Sequence, residues 1–298
     1  MLKKLILVFL AVTMPSMGAE AAEITLEYRD LTLNANLELA EGQDLAAGVV
    51  LILHGMTAHN QMEIIEASQA SLQENGYSSL AINLSLDIDN RKGFFDCSWT
   101  HTHQADDAVD ELAAWVQWLR QKGVKKIVLM GHSRGANQVM IYAVEHDEPE
   151  ITHVVLLAPN TTLNGKRQYE ARFGNNFDDN LARVKSMVEA GRGDELIEKF
   201  NFFFCPKTTI SASSFYSYYR YDDRFLAFDR YLPRMPRPTL VIVGTDDDLQ
   251  PNIPEHVAPY VDGERIRLEE IEDSGHFFRD LNIEEAIETA IDFIDSAG

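Results

Sequence analysis

The chain has 298 residues, 45% hydrophobic and 24% charged, a globular balance that excludes a disordered, collagen-like or multi-pass membrane protein. Its formal net charge of −21 repels phosphate backbones and anionic lipid surfaces, which argues against nucleic-acid partners and for a neutral or cationic substrate. One large α/β domain, with or without an insertion, fits this length.

The N-terminal stretch MLKKLILVFLAVTMPSMGAEAAE sets Lys3 and Lys4 before an apolar run from Leu5 to Met14, followed by small residues around Ala19 and Ala21. This is the layout of a secretory signal peptide. Residues 1–21 are therefore expected to direct export to a periplasm or the cell exterior, with the mature chain starting near Glu20 or Ala22. The run is too short for a bilayer span, which takes roughly twenty apolar residues, so no stable membrane insertion is expected. Cys97 and Cys205 are the only cysteines. In an oxidising compartment they are compatible with one bridge closing a long loop, and equally with two reduced buried thiols.

After this leader the pattern alternates at Ile24, Leu26 and Tyr28 and again from Leu31 to Leu39, which predicts an antiparallel pair of half-buried strands. Short unbroken apolar runs follow at Val49–Leu53, Ser79–Leu84, Ile127–Met130, Val154–Ala158, Thr239–Gly244 and Arg265–Ile271. Strands without alternation have helices on both faces, so these predict a mostly parallel sheet built from right-handed βαβ units. The intervening helices show in the spacing of Ala108, Leu112, Trp115 and Leu119, of Ala136, Val139, Met140 and Ala143, and of Ile283, Ala286, Ile287, Ala290 and Ile291.

Between Pro159 and Pro238 lie about eighty residues, far beyond an ordinary crossover connection. They hold helical pieces and an aromatic cluster including Phe202, Phe203, Phe204, Phe215, Tyr216, Tyr218 and Tyr219. Residues 160–238 are expected to form an inserted cap, with residues 22–159 and 239–298 as the two parts of the core. The cap aromatics are candidates for an apolar acyl site and, for the most part, for the cap's own core.

The stretch KKIVLMGHSRGANQVMIYA ends an apolar strand at Met130 and starts a helical pattern within a residue or two of Ser133. A G-x-S-x-G pentapeptide in that setting makes a sharp strand-to-helix turn, permitted by Gly131 and Gly135, which lifts the serine side chain above the sheet. Free N–H groups at the helix start can stabilise an oxyanion. A serine hydroxyl needs a base, and a base needs an acid to hold it. Acids Asp246, Asp247 and Asp248 follow the strand ending at Gly244, and His276 follows the strand ending near Ile271.

In this order of elements the chain resembles the α/β-hydrolase superfamily over nearly its whole length after the leader. The resemblance implies the α/β-hydrolase fold, a mostly parallel central sheet flanked by helices with an inserted helical cap. The family's G-x-x-D-x-x-x-P spacing falls on Gly244, Asp247 and Pro251, which marks Asp247 as the acid ahead of Asp246 and Asp248; the pair Gly275–His276 matches the base position. In LILHGMTAHN, the resemblance assigns the second oxyanion donor to the N–H of Met56, beside that of Arg134. Gly55 supports this loop, and His54 is a structural histidine that orients it. The implied activity is hydrolysis of a small-molecule carboxylic ester through Ser133, His276 and Asp247, with no metal or organic cofactor. Other acyl hydrolases (a lipase, a thioesterase, a peptidase) use the same residues, and a non-catalytic binding protein can keep the fold. His101 and His103, after the fourth strand, are expected at the pocket mouth rather than on a metal. The Arg134 side chain is expected to be an exposed helix-start arginine, with an acidic group as its alternative partner.

Overall fold

The computed structural model describes residues 20–220 and 228–296. Chain order runs β1 (Glu20–Tyr28), β2 (Leu31–Leu39), β3 (Val49–Leu53), α1 (Glu63–Glu74), β4 (Ser79–Asn83), β5 (Thr100–His101), α2 (Asp107–Gln121), β6 (Ile127–His132), α3 (Arg134–Glu145) and β7 (Ile151–Leu157). There follow α4 (Thr162–Phe173), α5 (Phe177–Glu189), β8 (Leu196–Phe202), β9 (Cys205–Ser211), α6 (Ala212–Tyr219), α7 (Phe228–Tyr231), β10 (Thr239–Gly244), α8 (Ile253–Val257), β11 (Ile266–Ile271) and α9 (Leu281–Ser296).

Eight strands form one sheet in the order β1-β2-β4-β3-β6-β7-β10-β11. The outer pair β1 and β2 is antiparallel, and β2 joins β4 antiparallel; every other neighbour pair is parallel. Every residue of β3, β4, β6 and β10 is buried, which is why these strands read as unbroken apolar runs. Their side chains still alternate between two cores. Leu51, Leu53, Ile127 and Leu129 belong to the core that includes α2 and α3, while Val50, Ile52, Val128 and Met130 belong to the one that includes α1 and α9.

The expected signal segment lies outside the described residues except for its end. Glu20 and Ala21 are the first residues of β1 and pair with Leu39 and Glu38. Among the described residues no helix is long and apolar enough to cross a membrane.

The segment between β7 and β10 carries α4 to α7 as expected from its helical pieces, but also a hairpin that the sequence did not announce. Strands β8 and β9 pair antiparallel with an irregular register, and β9 pairs parallel with β5, forming a second, three-stranded sheet. An irregular register breaks the period-two signal that would reveal a strand pair. A disulfide joins Cys97, just before β5, to Cys205 at the start of β9. The insertion is thereby tied to the loop after β4 by backbone pairing and by a covalent bond. Its aromatics mostly form its own core: Phe202, Phe203, Phe215, Tyr218 and Tyr219 are buried, and Phe202 stacks on Phe203 with ring centres 3.8 Å apart.

The bridge closes a loop across a sequence separation of 108 residues, so its loss restores much chain entropy to the unfolded state. Replacing both cysteines by serine is expected to lower unfolding free energy by about 4 kcal/mol, measured by denaturant titration. The native oxidised protein is expected to show no free thiol.

Candidate active site

The turn from β6 into α3 is a close crossing of backbones. A Cβ on Gly131 would lie 2.5 Å from the carbonyl of Gly135, and one on Gly135 would lie 2.5 Å from the Leu53 carbonyl oxygen and collide with that of His54. Only glycines fit there. Between them Ser133 takes φ 55° and ψ −124°, a conformation that non-glycine residues rarely hold without support. The support is visible: its N–H donates to Leu157 O at 2.8 Å, and its carbonyl accepts from Ala136 N at 3.0 Å.

From this turn the Ser133 hydroxyl reaches His276. Ser133 Oγ donates to Nε2 of His276 at 3.0 Å, and Nδ1 of His276 donates to Asp247 Oδ2 at 2.8 Å. The other Asp247 oxygen accepts from the N–H groups of Leu249 at 2.9 Å and Gln250 at 2.8 Å. Asp247 is 4% exposed, whereas Asp246 and Asp248 are exposed. Burial alone would raise the Asp247 pKa, but the bonds from His276, Gln250 and Leu249 outweigh it and hold the carboxyl below its usual range. Of the three neighbouring acids, Asp247 is the one the structure brings to His276.

Two further groups hold this chain in place. His132, the variable residue of the pentapeptide, donates from Nε2 to the His276 carbonyl at 2.8 Å. It locks the base's backbone to the nucleophile's strand, and burial beside the His276 ring lowers its pKa to about 3. His54 donates from Nδ1 to Gly55 O at 2.7 Å and accepts at Nε2 from Leu84 N at 3.1 Å, so it orients the loop that carries Gly55 and Met56.

Arg91 completes this support, and sequence reading missed it. Its guanidinium, in a side chain 1% exposed, donates to the carbonyls of Leu84 (2.6 Å), Gly93 (2.5 Å) and Ala58 (2.8 Å), to Asn83 Oδ1 (2.7 Å) and, at 3.3 Å, to His54 Nε2. It clamps the Met56 loop to the end of β4. No local pattern marks such an arginine, because its acceptors are mostly backbone oxygens, which any residue type supplies.

Met56 and Arg134 both border a cleft of about 300 Å³ that opens over Ser133 and His276. Its walls are largely apolar, from Met62, Ile64, Ile65 and Phe94 to Leu249 and Phe277. Among the described residues, Phe204 is the cap aromatic that reaches it. Two expectations are corrected here. His101 and His103 do not line the cleft; both are fully buried beneath the insertion, 3.3 Å apart between ring nitrogens, with His103 2.9 Å from the Tyr218 hydroxyl. Their rings pack with Phe95 and Phe202 because the β5–β9 pairing draws this segment under the cap. The Arg134 side chain is not an exposed helix start but 5% exposed, with its guanidinium over the rings of Phe203 and Tyr218. The cap covers this end of α3, which the chain's local pattern could not reveal. Among the described residues no group of three or more His, Cys, Asp or Glu is arranged to hold a metal ion.

Such an arrangement can pass a proton from the Ser133 hydroxyl to His276 while Asp247 balances the imidazolium charge. The comparisons with known proteins agree with the fold. Est1E from Butyrivibrio proteoclasticus is 17% identical and superposes with a TM-score of 0.62 over 92% of this chain and 99% of its own. An esterase from Pyrococcus furiosus is 19% identical with a TM-score of 0.59, covering 93% and 91%. A dienelactone hydrolase from Anabaena variabilis is 17% identical with a TM-score of 0.54, covering 93% and 98%. These likenesses show the α/β-hydrolase fold. The chain belongs to the family described as "Protein of unknown function (DUF1749)", whose model matches residues 87–235. No curated protein matches the sequence.

Buried neutral histidines make stability depend on pH. Burial, with the Arg91 charge second for His54, lowers the pKa of His54 to about 3 and that of His101 to about 4, both from an ordinary 6.5. The unfolded chain then binds more protons below pH 6.5, so stability is lost as pH falls toward those values. Glu111 acts oppositely. Burial raises it from 4.5 to about 7 while it accepts from Ser85 N and Oγ, so the folded state binds the extra proton and stability falls as pH rises across that window. Thermal unfolding followed against pH is expected to show Glu111→Gln more stable than the parent at pH 8, with that advantage gone at pH 4.5.

Proposed function

We propose that this protein is an exported serine hydrolase that cleaves carboxylic esters of small molecules. The observation that carries the proposal is the unbroken hydrogen-bonded chain from Ser133 Oγ through His276 to Asp247, with Ser133 held at positive φ at the foot of an apolar cleft.

His276 Nε2 takes the Ser133 proton as Oγ attacks the ester carbonyl. The N–H groups of Met56 and Arg134 bind the resulting oxyanion, and Asp247 stabilises the imidazolium. Collapse of the tetrahedral intermediate expels the alcohol, which takes the proton from His276 and leaves an acyl-enzyme. Water repeats the cycle, giving up a proton to His276, and releases the acid. Each step runs on side chains and backbone groups, so the mechanism calls on no metal or organic cofactor. A net charge of −21 opposes nucleic-acid partners. Export rests on the basic tip Lys3–Lys4 and the apolar run Leu5–Met14, and the Cys97–Cys205 bridge suits an oxidising compartment.

A fluorophosphonate probe is expected to label the protein and not its Ser133→Ala variant; equal labelling of the two would sink the proposal. Asp247→Asn is expected to cut kcat on an activated ester by about 10³–10⁴-fold, while Asp246→Asn and Asp248→Asn stay within about twofold of the parent, as substitutions of exposed side chains usually do. Expression with the full leader followed by cell fractionation and N-terminal sequencing is expected to recover a chain beginning near Ala22 outside the cytoplasm.

A further inference from the structure

The chain carries 47 acidic residues, yet among the described residues no Asp or Glu borders the cleft or the small side cavity that shares Gly55 and Met56 with it. Arg134 borders both. Its guanidinium carbon lies 5.5 Å from the Phe203 ring centre and 5.2 Å from that of Tyr218, and these two rings wall the side cavity. The charged end therefore sits at the side cavity, next to the loop that carries the Met56 N–H.

Among the described residues, two of this guanidinium's three nitrogens have no acceptor. Nε and Nη1 are cut off from solvent and make no hydrogen bond, and the residue as a whole is 5% exposed. The other buried arginine among the described residues, Arg91, shows what the fold does when a guanidinium is only structural: it surrounds it with carbonyl oxygens. Around Arg134 there are ring faces instead, which offset part of the cost of burying the charge but leave Nε and Nη1 unpaired. Buried donors without partners are rare in native folds, and one beside a nucleophile points to a partner that arrives with the substrate.

We propose that Arg134 and the side cavity form an anion subsite, which takes a carboxylate that the substrate carries a few bonds from the scissile carbonyl. The inference rests on the hydrolase reading of Ser133 and adds a substrate class to it, half-esters of short dicarboxylic acids. The size of the side cavity, about 10 Å³, admits a group no larger than a water molecule. A carboxylate oxygen enters it while the rest of the acyl chain stays in the cleft. The chain's net charge disfavours anions at a distance, but that field is screened beyond about 8 Å in physiological salt, and the local donors decide what is bound.

The test compares kcat/KM for 4-nitrophenyl hemiglutarate with that for its neutral isostere, 4-nitrophenyl 5-methylhexanoate, in the full protein and in Arg134→Met, which keeps the backbone N–H. The parent is expected to prefer the anionic ester by about tenfold or more, as a charge-assisted bond implies, and the variant to lose that preference. Arg134→Met is also expected to unfold at an equal or higher temperature, because it removes an uncompensated buried charge. A parent ratio at or below one, or a ratio unchanged in a destabilised Arg134→Met protein, overturns the proposal and makes Arg134 a strut for the cap. Arg134→Lys, which keeps the charge without the planar fork, supplies the same comparison if the methionine variant does not fold, with a clear loss of preference expected. Calorimetry with glutarate on Ser133→Ala separates the two levels. Glutarate is expected to bind Ser133→Ala and not Ser133→Ala/Arg134→Met, and equal binding to both refutes the subsite. If neither ester is hydrolysed, the hydrolase reading fails while this binding comparison still decides the subsite.

Discussion

The architecture of the site follows from one steric constraint, the backbone contact between the start of α3 and the ends of β3 and β6. Gly131 and Gly135 face each other with no room for a side chain, and Gly135 rests on the carbonyls of Leu53 and His54. That contact turns the chain from strand to helix within a few residues and forces Ser133 into positive φ. The Ser133 side chain is then raised over the sheet toward His276, and the same contact brings the Met56 loop next to the first turn of α3. The strain at Ser133 is tolerated because neighbouring β7 accepts its N–H through Leu157.

Around that contact the fold builds a layer of buried polar groups whose bonds run between loops. Arg91 and His54 fasten the Met56 loop to the end of β4, His132 fastens the backbone of His276, and two N–H groups after β10 fix the Asp247 carboxylate. Burial keeps His54 and His132 neutral, which lets His54 donate from one ring nitrogen and accept at the other. Rigidity at the site comes from satisfied polar contacts as much as from the apolar cores on the two faces of the sheet. The insertion closes one side of the cleft and is itself held by the β5–β9 pairing and the Cys97–Cys205 bridge. The exceptions to this satisfaction include Arg134, and that contrast with Arg91 gives its side chain a functional meaning.

Much of this was legible in the sequence. The unbroken runs at Val49–Leu53 and Thr239–Gly244 require strands covered on both faces, and the structure buries them so. Gly131, Ser133 and Gly135 are legible because a strand, a tight turn and a helix are all local events, written in adjacent residues. The hairpin β8–β9 was not legible, since its register shifts break the alternation that signals a strand. Arg91 and His132 left no signal because the bonds that tie them across the fold, to Ala58 O and to His276 O, reach backbone oxygens 33 and 144 residues away. His101 and His103 were misplaced for a related reason: their distance from the cleft depends on where the insertion folds, not on their own neighbours.

What the sequence by itself determined is the order of elements, the elbow at Ser133, and a short set of acids and a histidine after the right strands. These are set by side-chain periodicity and backbone sterics within a few residues. Only the tertiary structure decided which of Asp246, Asp247 and Asp248 faces His276, that Cys97 meets Cys205, and that Arg134 is buried rather than exposed. Each of those depends on the packing of segments up to 108 residues apart, where a turn of one residue carries a carboxylate from a buried bond to open water and no local pattern records the difference.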